Sequence, residues 1–220
     1  MLIFHYASLE TFKSIIENHC IWLCDVQKSN DSTERTYFEQ VLLKVIDDLL
    51  ANPSEIKSFS PYAEKALATF KDTYRNQRPN IPPIYSASFS FDGDLLSQWR
   101  AYANDGTGLS IGFTKGFFQK AFHNENGHNV FYDKKLAISI CKKKVVDNLH
   151  IFTEEYGDNI NKFLDGFILS LLQFMDYESV FFKQLAFAEE QEYRIVYRHG
   201  TRTYENPVTN TDLSTFVLRY

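Results

Sequence analysis

The stretch from Tyr85 to Phe113, YSASFSFDGDLLSQWRAYANDGTGLSIGF, constrains this chain more than any other. Between Ile84 and Phe91, Ser86, Ser88 and Ser90 alternate with Tyr85, Ala87, Phe89 and Phe91. That period of two predicts a half-buried strand with one hydroxyl-bearing face. Asp92-Gly93-Asp94 supplies turn chemistry and a helix cap. Leu95, Leu96, Trp99 and Tyr102 then recur at helical spacing and predict a short amphipathic helix carrying Ser97, Gln98 and Arg100. Asn104-Asp105-Gly106-Thr107-Gly108 breaks that helix, and Leu109–Phe113 returns as a second strand. Together these pieces predict a compact polar pocket wall.

The flanking chain supplies the rest of the elements. Leu2-Ile3-Phe4-His5-Tyr6 reads as a strand, and Ser8 caps a helix with an apolar stripe of Leu9, Phe12, Ile15 and Ile16. Ile21-Trp22-Leu23 is strand-like. Asp31 and Glu34 have the spacing of a capping box before a long helix to about Leu50. Ser60-Pro61 starts a helix over Tyr62–Tyr74. Thr114 caps a short helix to Phe122, and strand pieces are expected at Val130–Tyr132 and Leu136–Cys141. A second helical region, about 144–183, carries a break at Gly157-Asp158. Glu192–Tyr197 reads as a strand and Phe216–Tyr220 as a last one. This order is neither a regular βαβ alternation nor all-helical, which predicts an α+β fold with a mixed or antiparallel sheet. The expected organisation is a single domain, 1–220, with a helical insertion at about 32–78.

Composition narrows the function classes. With 220 residues and 44% hydrophobic content the chain can bury a full core, dominated by 20 Phe and 13 Tyr. A net charge of −5 argues against general nucleic-acid binding, and Lys142-Lys143-Lys144 reads as a solvated face. Cys20, Cys24 and Cys141 form no CxxC pair, so reduced thiols in a cytoplasmic protein are expected, without a zinc site. The start, MLIFHYASLE, lacks the pattern of a secretory signal, and no stretch reaches the length of a membrane span.

Four polar groupings fall on strands or their ends: His5-Tyr6; Asn30-Asp31 with Glu34; the serine face with Ser97, Trp99, Arg100 and Asn104; and Glu190-Gln191-Glu192-Tyr193-Arg194. Each has an ordinary structural reading. His5 would be a satisfied core residue, Asp31 and Glu34 a cap, the serines a wet strand. Glu190 and Glu192, two apart at the head of a strand, project to one face with Arg194. There they either pair with it or serve a site, since like charges disfavour mutual ionisation.

In order along the chain, His5-Tyr6-Ala7-Ser8, Asn30-Asp31-x-x-Glu34, Ser88-Phe89-Ser90 and Asp94-x-x-Ser97-x-Trp99-x-x-Tyr102 resemble recurring features of the bacterial domain-of-unknown-function family 2971. Gly108-x-x-Ile111-Gly112-Phe113 and Phe187-x-x-Glu190-x-Glu192-x-Arg194 continue the resemblance. A weaker resemblance, carried by a first-strand His, a middle strand of hydroxyls and aromatics and a late-strand Glu, is to the ADP-ribosyltransferase-like superfamily. It implies a transferase using NAD as substrate, acting as a toxin or phage-defence effector. In that pattern His5 holds a ribose hydroxyl, and Glu192 stabilises the oxocarbenium-like state formed as the nicotinamide–ribose bond breaks. Glu190 acts on the acceptor. Tyr6, Trp99 or Tyr102 stack on a flat ring, Ser88, Ser90 and Ser97 add hydroxyls, and Arg100 or Arg194 grips a phosphate. The branch with a two-apart acidic pair begins with Arg where this chain has His5, so the pattern is mixed.

Two other readings stay open. One is a catalytically inert nucleotide-binding or interaction module of a defence or stress system. The other is a metal-dependent nuclease or hydrolase built on Asp25, Asp31, Glu34 and Asp94. The NAD reading expects no metal.

Overall fold

A computed structural model describes residues 1–26, 32–76, 83–116, 127–198 and 217–219, with the side chains of 32–35, 198 and 217–219 outside the description. The chain is α+β and divides into two compact units. One gathers Met1–Ser32, Pro82–Phe131 and Ala186–Tyr220; the other gathers Thr33–Ile81 and Tyr132–Leu185.

The first unit is built on an antiparallel sheet. Its strands are β1 (Leu2–Ala7), β3 (Cys24–Asp25), β4 (Ile84–Ser90), β5 (Leu109–Thr114), β6 (Gly127–Asn129) and β7 (Glu192–Arg198). The order is β5-β1-β4-β7-β6, with β3 also on β4. A separate parallel pair joins β2 (Cys20–Trp22) to β8 (Val217–Arg219). Register fixes the two faces, because directly opposed residues share a side. Ile3, Ala87, Phe89, Tyr193 and Ile195 lie on one face and form a core with Ile15, Ile21 and Leu23. Ile15 is the buried residue of α1 (Leu9–Asn18), whose start is capped by Ser8 Oγ accepting from Thr11 N at 3.1 Å. On the opposite face Phe4 faces Ser90, Ser90 faces Glu192, and Ser88 faces Arg194.

Along one edge of β4 two strands meet it and then part. β1 touches it at Phe4↔Ser90, and β3 at Cys24↔Ser86 and Asp25↔Tyr85. Between them, at Ser88, the sheet is split.

The second unit is helical. It contains α2 (Ser32–Leu50), α3 (Pro53–Lys57), α4 (Ala63–Asn76), α6 (Lys134–Tyr156) and α7 (Ile160–Glu178). Leu42, Ile46, Leu67, Phe70 and Phe163 are fully buried, and Phe38 stacks on Phe182 at 5.0 Å. The strand expected at Leu136–Cys141 is the first turns of α6 instead. Asp133 Oδ1 accepts from Lys135 N at 2.7 Å, opening a helix whose buried positions Ala137, Cys141 and Val145 recur every four residues. The alternation Leu136-Ala137-Ile138-Ser139-Ile140-Cys141 mimicked a strand over too short a window. The strand piece expected at Val130–Tyr132 is centred slightly earlier, at β6. Most of the helix expected from Thr114 to Phe122 lies outside the described residues.

Candidate functional site

The middle of the site is Ser88, held where the sheet splits. Phe91 N donates to Gln191 O at 2.9 Å, which sets the alternation of the ladder between β4 and β7. By that alternation Ser88 turns its N–H and C=O away from β7, into the split. Among the described residues no paired strand meets its carbonyl there. His5 does so instead, with Nδ1 at 3.0 Å from Ser88 O. A carbonyl only accepts, so Nδ1 carries the hydrogen and Nε2 keeps a lone pair. Burial lowers the pKa of His5 below its ordinary value, with the bond to Ser88 acting the other way, so the neutral imidazole is favoured. The ring lies 5.4 Å from Phe89, on the core face. Ser88 is exposed. The split therefore sets the Ser88 N–H beside the His5 imidazole, while the Ser88 hydroxyl leaves the sheet on the opposite face, towards Arg194.

Tyr6 sits on the other face and is 6% exposed. Its hydroxyl donates to Asp92 O at 2.8 Å and accepts from Leu95 N at 2.9 Å, tying the turn after β4 down to β1. Burial chiefly raises the pKa of its phenol, with Asp92 and Asp94 adding to the effect and the Leu95 N–H opposing it. Trp99, on α5 (Leu96–Tyr102), meets the Tyr6 ring edge-on at 5.2 Å, and its Nε1 donates to Asp94 Oδ1 at 2.8 Å. Asp94 was expected to cap α5. It holds the indole instead, and the cap position, Leu95, has no side-chain bond. Arg100 and Tyr102 are exposed on α5, and Ser97 is half-buried there.

Ser90 is structural. Its Oγ donates to Glu190 O at 2.8 Å and accepts from Asp92 N at 3.1 Å, while the residue is 2% exposed.

Glu192 and Arg194 project together from β7, as their spacing predicts, and form a buried two-point ion pair. Arg194 Nε donates to Oε1 at 2.6 Å and a terminal nitrogen to Oε2 at 3.1 Å, with the residues 5% and 3% exposed. Glu190 does not share that face by strand alternation. It ends a 3-10 turn, Leu185–Glu190, and Gln191 takes a left-handed backbone (φ 44°) that breaks the strand geometry between the two carboxylates.

The expected constellation is thus brought together in part. Strands β1, β4 and β7 are consecutive neighbours, so His5, Ser88 and Glu192 come from adjacent strands. The side chains of His5 and Glu192 nevertheless leave opposite faces of the sheet. Asn30 and Asp31, and the side chain of Glu34, lie outside the described residues. Of the hydrolase set, Asp25 is paired in β3 opposite Tyr85 and Asp94 holds Trp99. Among the described residues no group of three or more His, Cys, Asp or Glu could hold a metal ion. The split beside Ser88 was not legible in the sequence.

A family model described as "Protein of unknown function (DUF2971)" matches residues 98–195. Over that stretch the chain is similar to this family. The matched residues run from α5 to β7 and include Trp99, Arg100, Tyr102, Glu190, Glu192 and Arg194, whereas His5 and Ser88 precede them. No curated protein and no solved structure matches the chain. Among the described residues no helix is long and apolar enough to cross a membrane.

Proposed function

We propose that the sheet unit is a catalytically inert nucleotide-binding module of the ADP-ribosyltransferase-like kind, taking NAD or a related nucleotide at the split beside Ser88. One observation carries this reading: His5 donates through Nδ1 to Ser88 O and so presents Nε2 as an acceptor. An acceptor next to the Ser88 N–H suits a sugar hydroxyl or a carboxamide, each of which needs a partner of both kinds. Exposed Arg100 and Tyr102 on α5 offer a guanidinium for phosphate and a ring for stacking.

Binding without transfer follows from Glu192. A carboxylate that stabilises an oxocarbenium-like state must face the anomeric carbon with its charge available. Here both oxygens are engaged by Arg194, on the face away from His5. The free thiols Cys20, Cys24 and Cys141 fit the cytoplasmic setting that completes this proposal.

A second reading, an active NAD-dependent ADP-ribosyltransferase, is favoured by the adjacency of β1, β4 and β7. It requires Glu192 to leave Arg194 when substrate binds. Thermal shift with NAD, run beside an assay of NAD consumption, separates the two. The inert module is stabilised by NAD by mass action and consumes none; stabilisation accompanied by consumption selects the transferase.

A further inference from the structure

The outer edge of β5 carries a self-complementary pattern. Lys115 N donates to Met1 O at 3.1 Å, so the opposed residues Phe113/Ile3, Ile111/His5 and Leu109/Ala7 are the hydrogen-bonded pairs of the ladder with β1. Ser110, Gly112 and Thr114 therefore point their N–H and C=O groups outward. β5 is the end strand of the sheet, and among the described residues nothing pairs with that edge. Leu109-Ser110-Ile111-Gly112-Phe113-Thr114 contains no proline and no charge, the devices by which sheet edges are normally kept from pairing.

We propose that β5 is the contact strand of a twofold dimer, in which it pairs antiparallel with β5 of a second copy about Gly112. That register sets Gly112 opposite the partner's Gly112 and Ser110 opposite the partner's Thr114, so the outward groups of one copy meet those of the other. The side chains match as well. Ile111 and Phe113, only half-buried in the single chain, come opposite the partner's Phe113 and Ile111, an aromatic–β-branched pairing. On the other face Ser110 comes opposite the partner's Thr114. A second copy is the occupant that satisfies backbone and both faces with one register.

Sedimentation tests this on the full chain and on Thr114→Pro, which removes an outward N–H and leaves the bonds to β1 in place. The wild type is expected to sediment as a dimer at submillimolar concentration and to dissociate on dilution. Thr114→Pro is expected to stay monomeric, with the melting temperature that the wild type shows at dilutions where it too is monomeric. A wild type that is monomeric at submillimolar concentration, as it would be if the edge served an extended peptide of another protein, overturns the proposal. So does a folded Thr114→Pro that dimerises like the wild type. Should Thr114→Pro fail to fold, hydrogen exchange of the wild type decides. The amides of Ser110, Gly112 and Thr114 should slow as concentration rises; exchange there that ignores concentration overturns the dimer.

Discussion

His5 Nδ1 lies 3.0 Å from Ser88 O, bridging the place where β1 leaves β4 before β3 joins it. One residue thus closes an open carbonyl in the sheet and keeps a lone pair on Nε2. Because burial lowers the pKa of His5, the unfolded chain binds a proton there more readily than the folded one. Its share of stability is complete above the unfolded value of about 6.5 and is lost as pH falls from there towards the depressed folded value. His5→Asn keeps a donor for Ser88 O without titrating. Melting temperatures between neutral and mildly acid pH should fall more steeply for the wild type than for His5→Asn; parallel curves would contradict this.

The buried Glu192–Arg194 pair supports a prediction about stability. Glu192→Gln replaces the carboxylate that faces the buried guanidinium with a neutral amide, and unfolding stability should fall by roughly 3–5 kcal/mol. NAD consumption should be nil before and after the change. Denaturant titration reads the first effect. A variant as stable as the wild type would show that the pair is not a structural clamp.

Gly108 is required by a close approach. A Cβ placed there would lie 2.2 Å from Ala7 O and 2.9 Å from Ala103 Cα, both backbone atoms that cannot swing aside. Gly108→Ala should therefore cost about 1–3 kcal/mol, the usual scale of overpacking. Gly106→Ala, where no atom lies within 4 Å but φ is +86°, tests backbone strain alone and should cost about 1 kcal/mol. Equal stability of Gly108→Ala and wild type would contradict the packing.

The thiols should differ sharply in reactivity. Cys24 is exposed, whereas burial, with the Glu178 charge adding to it, pushes the Cys141 thiol up to about 12. A thiol reagent under native conditions should label Cys24 promptly and Cys141 only on unfolding. Mass mapping that finds Cys141 labelled in the native protein would count against the buried helix face.

Periodicity made much of this fold legible. The alternating serines predicted β4, Glu192–Tyr197 predicted most of β7, and Leu95–Tyr102 predicted α5, because each pattern runs long enough to choose one period. Leu136–Cys141 failed for want of length, and the cap at Asp133 that settles it lay just upstream. Glu190 failed for a backbone reason: counting by twos assumes an unbroken strand, and the left-handed Gln191 breaks it. Which face His5 and Glu192 take depends on register between strands far apart in sequence. The single bridge Phe4↔Ser90 sets it, and no local pattern encodes that pairing.

Titration calorimetry of NAD into the wild type and into His5→Asn, with NAD consumption followed in the same samples, tests the central claim most directly. The expected result is saturable binding to the wild type, binding to folded His5→Asn weakened by about tenfold or more for loss of the Nε2 acceptor, and no consumption by either protein. A folded wild type that does not bind NAD, equal binding by both proteins, or NAD consumed by the wild type would contradict it.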